Sequence, residues 1–358
     1  MKVLFACGGT GGDIFPAIAL AEGFEEKLKN CEIVFVGTPR GLEKTILSKT
    51  NWRLEMIEVP SLADKTSLGK IAAGFGLIGS LKRAHRLLKK ERPDLVISVG
   101  MYASGPVAMI SSLMKCPTVT LEPNASPGLT NRLLKPFVDR VFVAYPGLEK
   151  YFGRKTCRLG IPIRKSILQS PERRTQNAER RTIFIFGGSQ GAKKINECML
   201  ASLAYLQDLK GKIHFIHQVG RKASAGAFEQ VYREKGFSAE VYPFIQDMGT
   251  FYRQADFVVS RAGASTVAEL VAFKKPSLLI PYPFAARGHQ ELNARSLEKA
   301  GGAKMLLDRE MNGERLASAI KSFIGFPNVL KKMEEGLDKL GGNQAADKIV
   351  EECLKLVR

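Results

Sequence analysis

The stretch CGGTGGD, residues 7–13, follows the apolar run Val3-Leu4-Phe5-Ala6 and places four glycines within five positions. A second stretch, GGSQG at residues 187–191, also follows an apolar run. A loop that joins a strand to a helix exposes unpaired N–H groups at the positive end of that helix, and glycines let an anion approach them. Each stretch therefore predicts an anion-binding loop; a glycine-rich turn without a ligand is the alternative.

The two stretches belong to an internal repeat. KVLFACGGTGGDIFPAIALAEGF begins at residue 2 and TIFIFGGSQGAKKINECMLASL at residue 182, and both read strand, G-G-[TS]-x-G, helix. Neither loop continues into Gly-Lys-Ser/Thr, so neither is a P-loop. Neither matches G-x-G-x-x-G in register, and no acidic residue stands at a convincing ribose position about 20 residues further on. The repeat predicts two doubly wound domains with one anion site each.

Short apolar runs alternate with segments of helical periodicity along the chain. This pattern predicts an α/β protein with parallel sheets and helices on both faces. The predicted strands are 2–6, 32–36, 95–99, 117–121, 140–144, 182–186, 213–217, 240–242, 256–260 and 277–280. The predicted helices are 16–29, 40–49, 80–91, 191–206, 224–235, 263–273, 289–300 and 343–357.

The domain boundary is expected in the basic segment 158–181, at about residue 163, since a chain of this length exceeds one typical core. Residues 1–163 would form the first domain and residues 164–342 the second. The last helix, within 343–358, is expected to pack back on the first domain.

Composition narrows the class of protein. Of 358 residues, 45% are apolar and 25% charged, as in ordinary globular proteins. The six cysteines form no C-x-x-C pair, which argues against a disulfide framework and against a structural zinc site. We expect neither a signal peptide nor a membrane-spanning helix. The formal charge of +19 predicts an acidic partner, such as nucleic acid, anionic lipid or a phosphorylated substrate. A generally basic surface is the alternative.

Residues 65–92 carry eight of the basic residues and one acid, Glu91. Such a basic amphipathic stretch is typical of binding to an anionic membrane surface, although an ordinary helix with one core face is the alternative. The predicted apolar stripe consists of Leu68, Ile71, Phe75, Ile78, Leu81 and Leu88.

Eight motifs, in order along nearly the whole chain, resemble those of the MurG glycosyltransferases. They are GGTGGDIFPAIALA (8–21), GMYASGP (100–106), EPNASPGLTNR (122–132), GIPIR (160–164), GGSQGAKKIN (187–196), FIQDM (244–248), SRAGASTVAEL (260–270) and GHQELNA (288–294). The resemblance implies a GT-B fold, with two Rossmann-like domains facing a cleft, and an inverting transfer of N-acetylglucosamine (GlcNAc). The donor would be UDP-GlcNAc, and the acceptor the C4 hydroxyl of lipid-linked muramyl-pentapeptide (lipid I). It also implies no cofactor and no metal, and the sequence contains no Asp-x-Asp motif.

The resemblance places the donor on the second domain. The residues it implies are Ser189, Gln190 and Gly191 at the diphosphate, Phe244 and Ile245 at the uracil, Arg164 at the nucleotide, Ala264, Ser265 and Thr266 near the phosphates, Glu269 at the ribose, and His289, Gln290 and, from the first domain, Asn124 at the sugar. For several of these residues a structural role without ligand contact is the alternative. Glu269 could be a capping-box acid, His289 a helix N-terminal residue, Arg164 a solvated residue, and Asn124 and Ser189 turn and cap residues.

The resemblance places the acceptor diphosphate at the first domain's loops, 8–12 and 100–106. Gly11 and Gly12 would supply backbone amides, and Thr10 and Ser104 hydroxyl donors. The acceptor is lipid-linked, so the protein is expected on the cytoplasmic face of the cell membrane as a peripheral protein. Other cell-wall synthesis proteins are candidate partners, and nucleic acid is not expected.

The chain departs from the family pattern at the expected general base. Asp13 stands where the family usually has His, and Leu121, Pro123, Ile161 and Arg287-Gly288 are further departures. A carboxylate can remove the acceptor proton if burial raises its pKa. Two unit charges 4 Å apart cost about 4 kcal/mol at an effective dielectric of about 20, so an anionic Asp13 would repel a diphosphate at that distance. Asp13 is thus either the base or a helix N-cap, and an altered acceptor is a third possibility. Tyr102 and Glu269 are the other candidate bases.

Four other functions compete with this hypothesis. The same fold could serve a glycolipid synthase acting on diacylglycerol or a UDP-sugar epimerase. A nicotinamide-dependent oxidoreductase would need the absent G-x-G-x-x-G. A nucleic-acid-binding module would suit the charge, but one Trp and the lack of basic runs interleaved with aromatic residues argue against it.

Overall fold

The computed structural model describes residues 1–8, 11–39, 41–48, 50–60, 67–171, 180–340 and 343–357; within these ranges it leaves the side chains of residues 67–75, 101–103 and 327 undescribed. The chain divides into two compact units. Unit 1 comprises Met1–Arg164 and Gln344–Arg358, and unit 2 comprises Lys165–Asn343.

Unit 1 is built on a parallel sheet of seven strands in the order β3-β2-β1-β4-β5-β6-β7. The strands are β1 (Lys2–Ala6), β2 (Glu32–Gly37), β3 (Arg53–Met56), β4 (Leu95–Ser98), β5 (Thr118–Glu122), β6 (Arg140–Val143) and β7 (Thr156–Arg158). The helices are α1 (Gly11–Lys27), α2 (Glu43–Leu47), α3 (Ser67–Glu91), α4 (Met101–Leu113), α5 (Leu129–Leu134), α6 (Glu149–Phe152) and, from the end of the chain, α15 (Ala345–Val357).

Both faces of this sheet are covered. Alternate residues of β1 point to opposite faces, so Val3 and Phe5 enter one core while Leu4 enters the other. The first core includes α1 and α15, whose Ile349 is fully buried, and the second includes α3 and α4. Burial on both sides explains why β1 is a continuous apolar run instead of an alternating one.

Unit 2 repeats the arrangement with six parallel strands in the order β10-β9-β8-β11-β12-β13. The strands are β8 (Arg181–Phe186), β9 (Ile213–Gln218), β10 (Ser238–Tyr242), β11 (Phe257–Ser260), β12 (Ser277–Leu279) and β13 (Ala303–Met305). The helices are α7 (Lys165–Leu168), α8 (Lys193–Ser202), α9 (Ala225–Glu234), α10 (Met248–Gln254), α11 (Ala264–Ala272), α12 (His289–Lys299), α13 (Gly313–Ile324) and α14 (Pro327–Asp338).

The two sheets have equivalent strand orders. In each unit the first strand lies between the second and the fourth, so the order reverses direction beside it. Ligands of doubly wound sheets bind outside the carboxyl ends of the strands at such a switch point. The glycine loops follow β1 and β8, the first strand of each unit. The sheet order thus places each glycine loop where a ligand is expected.

The predicted pair of doubly wound parallel sheets is confirmed. Three short strands at sheet edges, β3, β7 and β13, were not predicted. Their sequences RLEM, TCR and AKM are too short and too polar to form an apolar run. Edge strands are solvated along one side and need less apolar surface.

Helix α3 corrects the predicted apolar stripe of 65–92. It begins at Ser67, well before the predicted start at residue 80. Leu88 is buried in the core against the sheet, whereas Ile78 is 52% exposed, so the two do not share one solvent face. The side chains of Leu68, Ile71 and Phe75 lie outside the described part. No helix among the described residues is long and apolar enough to cross a membrane.

Candidate active site

The glycine loop of unit 2 presents backbone with almost no side chains. Gly188 and Gly191 have φ of +91° and +77°, in the region that favours glycine. A Cβ on Gly191 would lie 2.1 Å from the carbonyl oxygen of Val219, so no larger residue fits there. Ser189 and Gln190 are exposed. The loop therefore has the shape that an anion-binding loop before a helix requires.

Gln218, which the sequence reasoning missed, joins this loop to the segment after β10. Its Nε2 donates to the carbonyl oxygen of Gly188 at 3.0 Å, and its Oε1 accepts from the N–H of Ile245 at 2.8 Å. The predicted diphosphate and uracil segments are thus brought together by one buried amide. Because the N–H of Ile245 is engaged by Gln218, backbone pairing of Ile245 with uracil needs its carbonyl or a movement of Gln218.

A buried histidine supports the same loop through the residues that pack against it. His217 lies between the hydroxyl oxygen of Tyr232, 3.0 Å from Nδ1, and Oδ1 of Asn196, 3.2 Å from Nε2. The Nδ2 of Asn196 donates to the carbonyl oxygen of Val219 at 2.8 Å, the atom against which Gly191 packs. Burial lowers the pKa of His217 to about 3, so the ring is neutral at pH 7.

Helix α11 follows β11, the neighbour of β8, and its first three residues are Ala264, Ser265 and Thr266. Its N-cap is Gly263, so Glu269 is the sixth residue of the helix, beyond the N3 position that a capping box requires. Oε2 of Glu269 accepts from the hydroxyl of Tyr252 at 2.9 Å. Burial, then the charge of Glu269, raises the pKa of Tyr252 well above its usual range, so this tyrosine stays protonated and donates.

His289 and Gln290 are the first two residues of α12. The Nδ1–H of His289 donates to the carbonyl oxygen of Ala286 at 2.9 Å, which leaves Nε2 as the other polar atom of the ring. Oε1 of Gln290 accepts from the N–H of Tyr282 at 2.9 Å. Both side chains therefore help to fold the 282–288 loop.

Arg261, also missed from the sequence, fixes the other end of that loop. Its guanidinium donates to the carbonyl oxygens of Ile280 and Pro281 at 3.2 and 3.1 Å and to Oδ1 of Asp308 at 2.6 Å. A salt bridge also joins Lys194 of α8 to Asp308, with 3.5 Å between Nζ and Oδ2. Asp308 thus connects the end of β12 to the helix that follows the glycine loop.

In unit 1, Asp13 is the third residue of α1. It lies inside the first turn, so it is not the N-cap residue. Gly100, at φ +69°, precedes α4, and a Cβ there would lie 3.7 Å from Oδ1 of Asp13 and 3.8 Å from Nδ2 of Asn131. The loops after β1 and β4 therefore meet at Asp13, at the switch point of the sheet.

Three predicted residues of the acceptor loops have different outcomes. Thr10 lies outside the described residues, and Tyr102 lies in the first turn of α4 with its side chain undescribed. Ser104 is fully buried, and its hydroxyl donates to the carbonyl oxygen of Gly100 at 2.6 Å. That Ser104 offers its hydroxyl to a ligand stays a prediction; in this structure the hydroxyl bonds to the carbonyl four residues earlier, as a serine in a helix can.

Glu122, at the end of β5, organises the segment that carries Asn124. Its Oε1 accepts from the backbone N–H of Asn124 at 3.1 Å and from its Nδ2 at 3.3 Å. Its Oε2 accepts from the N–H of Gly128 at 2.8 Å and from Nδ2 of Asn131 at 2.9 Å. Burial raises the pKa of this carboxyl although all four N–H groups oppose the rise. The available signal in the sequence was an acid, Glu122, placed directly after the predicted strand 117–121.

Arg164 is the last residue of the first segment of unit 1. Its guanidinium lies 3.9 Å above the ring of Phe15, on α1. It is therefore stacked on the helix that follows the first glycine loop. This defined contact argues against a freely solvated side chain. Among the described residues, no group of three His, Cys, Asp or Glu side chains is placed to hold a metal ion.

Comparisons with known proteins agree with this geometry. The model of the glycosyltransferase family 28 N-terminal domain matches residues 3–143, and that of the family 28 C-terminal domain matches residues 182–351. The UDP-N-acetylglucosamine–N-acetylmuramyl-(pentapeptide) pyrophosphoryl-undecaprenol N-acetylglucosamine transferase of Thermodesulfovibrio yellowstonii is 43% identical, over 100% of this chain and 99% of its own.

Solved structures give the same result. The crystal structure of Acinetobacter baumannii MurG has a TM-score of 0.81 and 27% identity, covering 99% of both chains. The calicheamicin glycosyltransferase CalG4 has a TM-score of 0.71 at 14% identity, covering 99% of this chain and 98% of its own, which shows a shared fold alone. The predicted GT-B fold is confirmed. The chain belongs to glycosyltransferase family 28 and, within it, to the MurG family of N-acetylglucosamine transferases.

Proposed function

We propose that this protein transfers GlcNAc from UDP-GlcNAc to the C4 hydroxyl of lipid I and so makes lipid II for peptidoglycan. The observation that carries the proposal is the 43% identity, over the entire chain, to a relative whose name states this transfer. The geometry of unit 2 supports it, because the loop at 187–191 exposes its backbone at the switch point of the sheet, as a diphosphate-bearing donor requires.

Unit 2 is the donor domain in this proposal. The loop at 187–191 binds the diphosphate with its amides and with Ser189, and the start of α11 lies near the phosphates. Phe244 and Ile245 hold the uracil, Glu269 the ribose hydroxyls, and His289 and Gln290 the sugar. The buried His217 and Gln218 and the half-buried Arg261 favour this assignment, because they hold those loops in one arrangement before a ligand arrives.

Unit 1 is the acceptor domain, and Asp13 is its general base. Asp13 takes the proton of the acceptor C4 hydroxyl while the oxygen attacks C1 of GlcNAc from the face opposite UDP. The bond from C1 to the diphosphate breaks, UDP leaves with that electron pair, and the configuration at C1 inverts. The position of Asp13 in the first turn of α1, beside the backbone of Gly100, supports this role.

A membrane surface on unit 1 brings the lipid-linked acceptor to this site. Helices α3, α4 and α5 carry exposed apolar residues, among them Ile78 at 52%, Leu113 at 61% and Leu133 at 65% exposure. Exposed cations, including Lys82 and Arg86, lie with Ile78 on α3. An apolar surface with neighbouring cations fits an anionic bilayer. The protein then acts at the cytoplasmic face of the membrane, in a process that determines cell shape and division.

Liposome co-sedimentation tests this surface. We expect binding to anionic liposomes that weakens with salt, and weaker binding for Leu133→Glu. The matched control is Phe326→Glu, which adds the same charge at a residue of unit 2 that is 63% exposed. Equal binding to neutral liposomes at high salt, or equal loss in both variants, would contradict this surface.

A transfer assay tests the function itself. The protein is incubated with radiolabelled UDP-GlcNAc and a lipid I analogue, and the product is analysed for a β-1,4-linked disaccharide. We expect transfer without an added metal and thermal stabilisation by UDP and UDP-GlcNAc, but not by NAD, NADP or oligonucleotides. Conversion of UDP-GlcNAc to its 2-epimer, or transfer to diacylglycerol instead of lipid I, would contradict the proposal.

A further inference from the structure

The turn after β9 touches the glycine loop of unit 2. Gly220 has φ of +102°, and a Cβ there would lie 2.5 Å from the carbonyl oxygen of Gln190 and 2.6 Å from Cα of Gly191. The two backbones are therefore in direct contact, and Arg221 is the first side chain beyond that contact. Its Cα is held close to the amides that the proposed function assigns to the diphosphate.

Arg221 also touches the segment assigned to the uracil. Its guanidinium lies 3.9 Å above the ring of Phe244. The next residue, Ile245, is bound to Gln218, which is bound in turn to Gly188. The three segments 187–191, 218–221 and 244–245 thus converge, and Arg221 is a cation placed between the first and the last.

The guanidinium of Arg221 meets no acid in the part of unit 2 that the structure describes. Among the described residues, no carboxylate forms an ion pair with it, and its side chain is exposed. A guanidinium that stacks one face on an aromatic ring still directs five N–H donors outward in its plane, in a geometry that matches phosphate oxygens. Stacking also reduces the conformational freedom that binding would otherwise remove.

We propose that Arg221 is a donor-binding residue, whose guanidinium edge binds the diphosphate of the nucleotide while Phe244 holds its face. When the bond from C1 of GlcNAc to the diphosphate breaks, the negative charge on the UDP diphosphate increases. A fixed cation there stabilises the leaving group. This inference rests on the proposed donor role of unit 2 and extends it to a residue outside the resembling motifs.

Binding of UDP and of uridine to Arg221→Ala, measured by calorimetry, tests this role. Loss of a charge-assisted contact weakens UDP binding about 10- to 100-fold. Uridine, which has no phosphate, should bind Arg221→Ala within about threefold of wild type. Arg221→Lys keeps the charge but not the planar fork and should give an intermediate Kd for UDP. The matched control is Lys222→Ala, which removes the same charge at the next exposed position.

Three results would overturn the inference: an unchanged Kd for UDP in Arg221→Ala, an equal loss for UDP and uridine, and an equal loss in Lys222→Ala. The second would mean that Arg221 only props Phe244, and the third that the effect is unspecific charge. Wild-type protein that fails to bind UDP would instead contradict the proposed function. The two failures are therefore distinguishable.

Discussion

The two glycine loops occupy equivalent places in equivalent sheets, yet the described residues around them differ. The loop of unit 2 is fixed by its neighbours, because the backbone at Val219 and Gly220 packs directly on Gln190 and Gly191. The helix after it begins with two lysines, Lys193 and Lys194. The loop of unit 1 leads instead into a helix whose first turn contains an acid, Asp13, which faces the turn at Gly100.

The difference shows what the repeated topology determines and what it leaves open. The sheet order decides where the loop lies, and a helix N-terminus offers amides to an anion in both units. The first helical turn then determines the chemistry. Cations beside the loop of unit 2 suit a site that only binds phosphate, whereas the carboxylate of unit 1 suits proton removal and disfavours a diphosphate in direct contact.

Gly191→Ala should have the largest effect, because it attacks the contact that fixes the loop of unit 2. The new Cβ meets the carbonyl of Val219 at 2.1 Å, and φ is +77°. Strain and overpacking together should lower the free energy of unfolding by roughly 2–5 kcal/mol and remove measurable UDP-GlcNAc binding. Gly188→Ala is the matched control, since φ there is +91° but a Cβ meets nothing within 4 Å. Chemical denaturation and calorimetry measure both quantities, and equal losses in the two variants would show that the contact with Val219 does not matter.

Asp13→Asn tests whether the loop of unit 1 differs by its chemistry. Removing the base should lower kcat by about 100-fold or more, with little change in the donor KM. Asp13→His keeps a proton acceptor at the same place and should retain much more activity than Asp13→Asn. A kcat of Asp13→Asn close to wild type would remove Asp13 as the base and make Tyr102 or Glu269 the next candidates.

The fold and both loops were predictable because their signals are local. An apolar run, clustered glycines and a helical period lie side by side in the sequence, and the same order occurs twice. The residues that hold the loops in place gave no comparable signal. Gln218 and Arg261 act across segments that lie far apart in the sequence, so only the tertiary structure reveals their roles.

The direction in which a side chain points was harder to predict than the fold. Ser104 lies in a loop-like motif but turns into the helix, where it bonds to Gly100. Leu88 fits a surface stripe by its spacing but is buried against the sheet. Helical spacing shows which residues share a face, but not whether that face meets the core or the solvent.

Glu122→Gln sharpens the comparison on the side of unit 1, where a buried acid holds the segment that carries Asn124. An amide offers one acceptor oxygen and turns an NH₂ group toward the N–H donors of Gly128 and Asn131, or of Asn124. Each buried donor left without an acceptor costs about 1–3 kcal/mol, so we expect lower stability and a kcat/KM reduced about 10- to 100-fold. Glu149→Gln, at an exposed position on α6, is the control and should match wild type. An active and stable Glu122→Gln would mean that Asn124 needs no such support.

The last prediction concerns pH and the buried histidine of unit 2, His217. His217 has a pKa lowered to about 3 by burial, against 6.5 as its ordinary value. The unfolded chain therefore binds a proton between these values while the folded protein does not, so acid favours unfolding. The free energy of unfolding should fall with decreasing pH by up to about 1.4 kcal/mol per pH unit between about 6.5 and about 3.

The substitution His217→Gln should remove this pH dependence of stability, which urea unfolding at pH 7 and pH 5 measures. His214 contributes equally in the wild type and in the variant. Because His217 is linked through Asn196 to the carbonyl of Val219, against which Gly191 packs, the acid sensitivity should be accompanied by loss of UDP binding. Identical slopes in the two proteins would mean that His217 is protonated in the folded state and that the loop of unit 2 tolerates the charge.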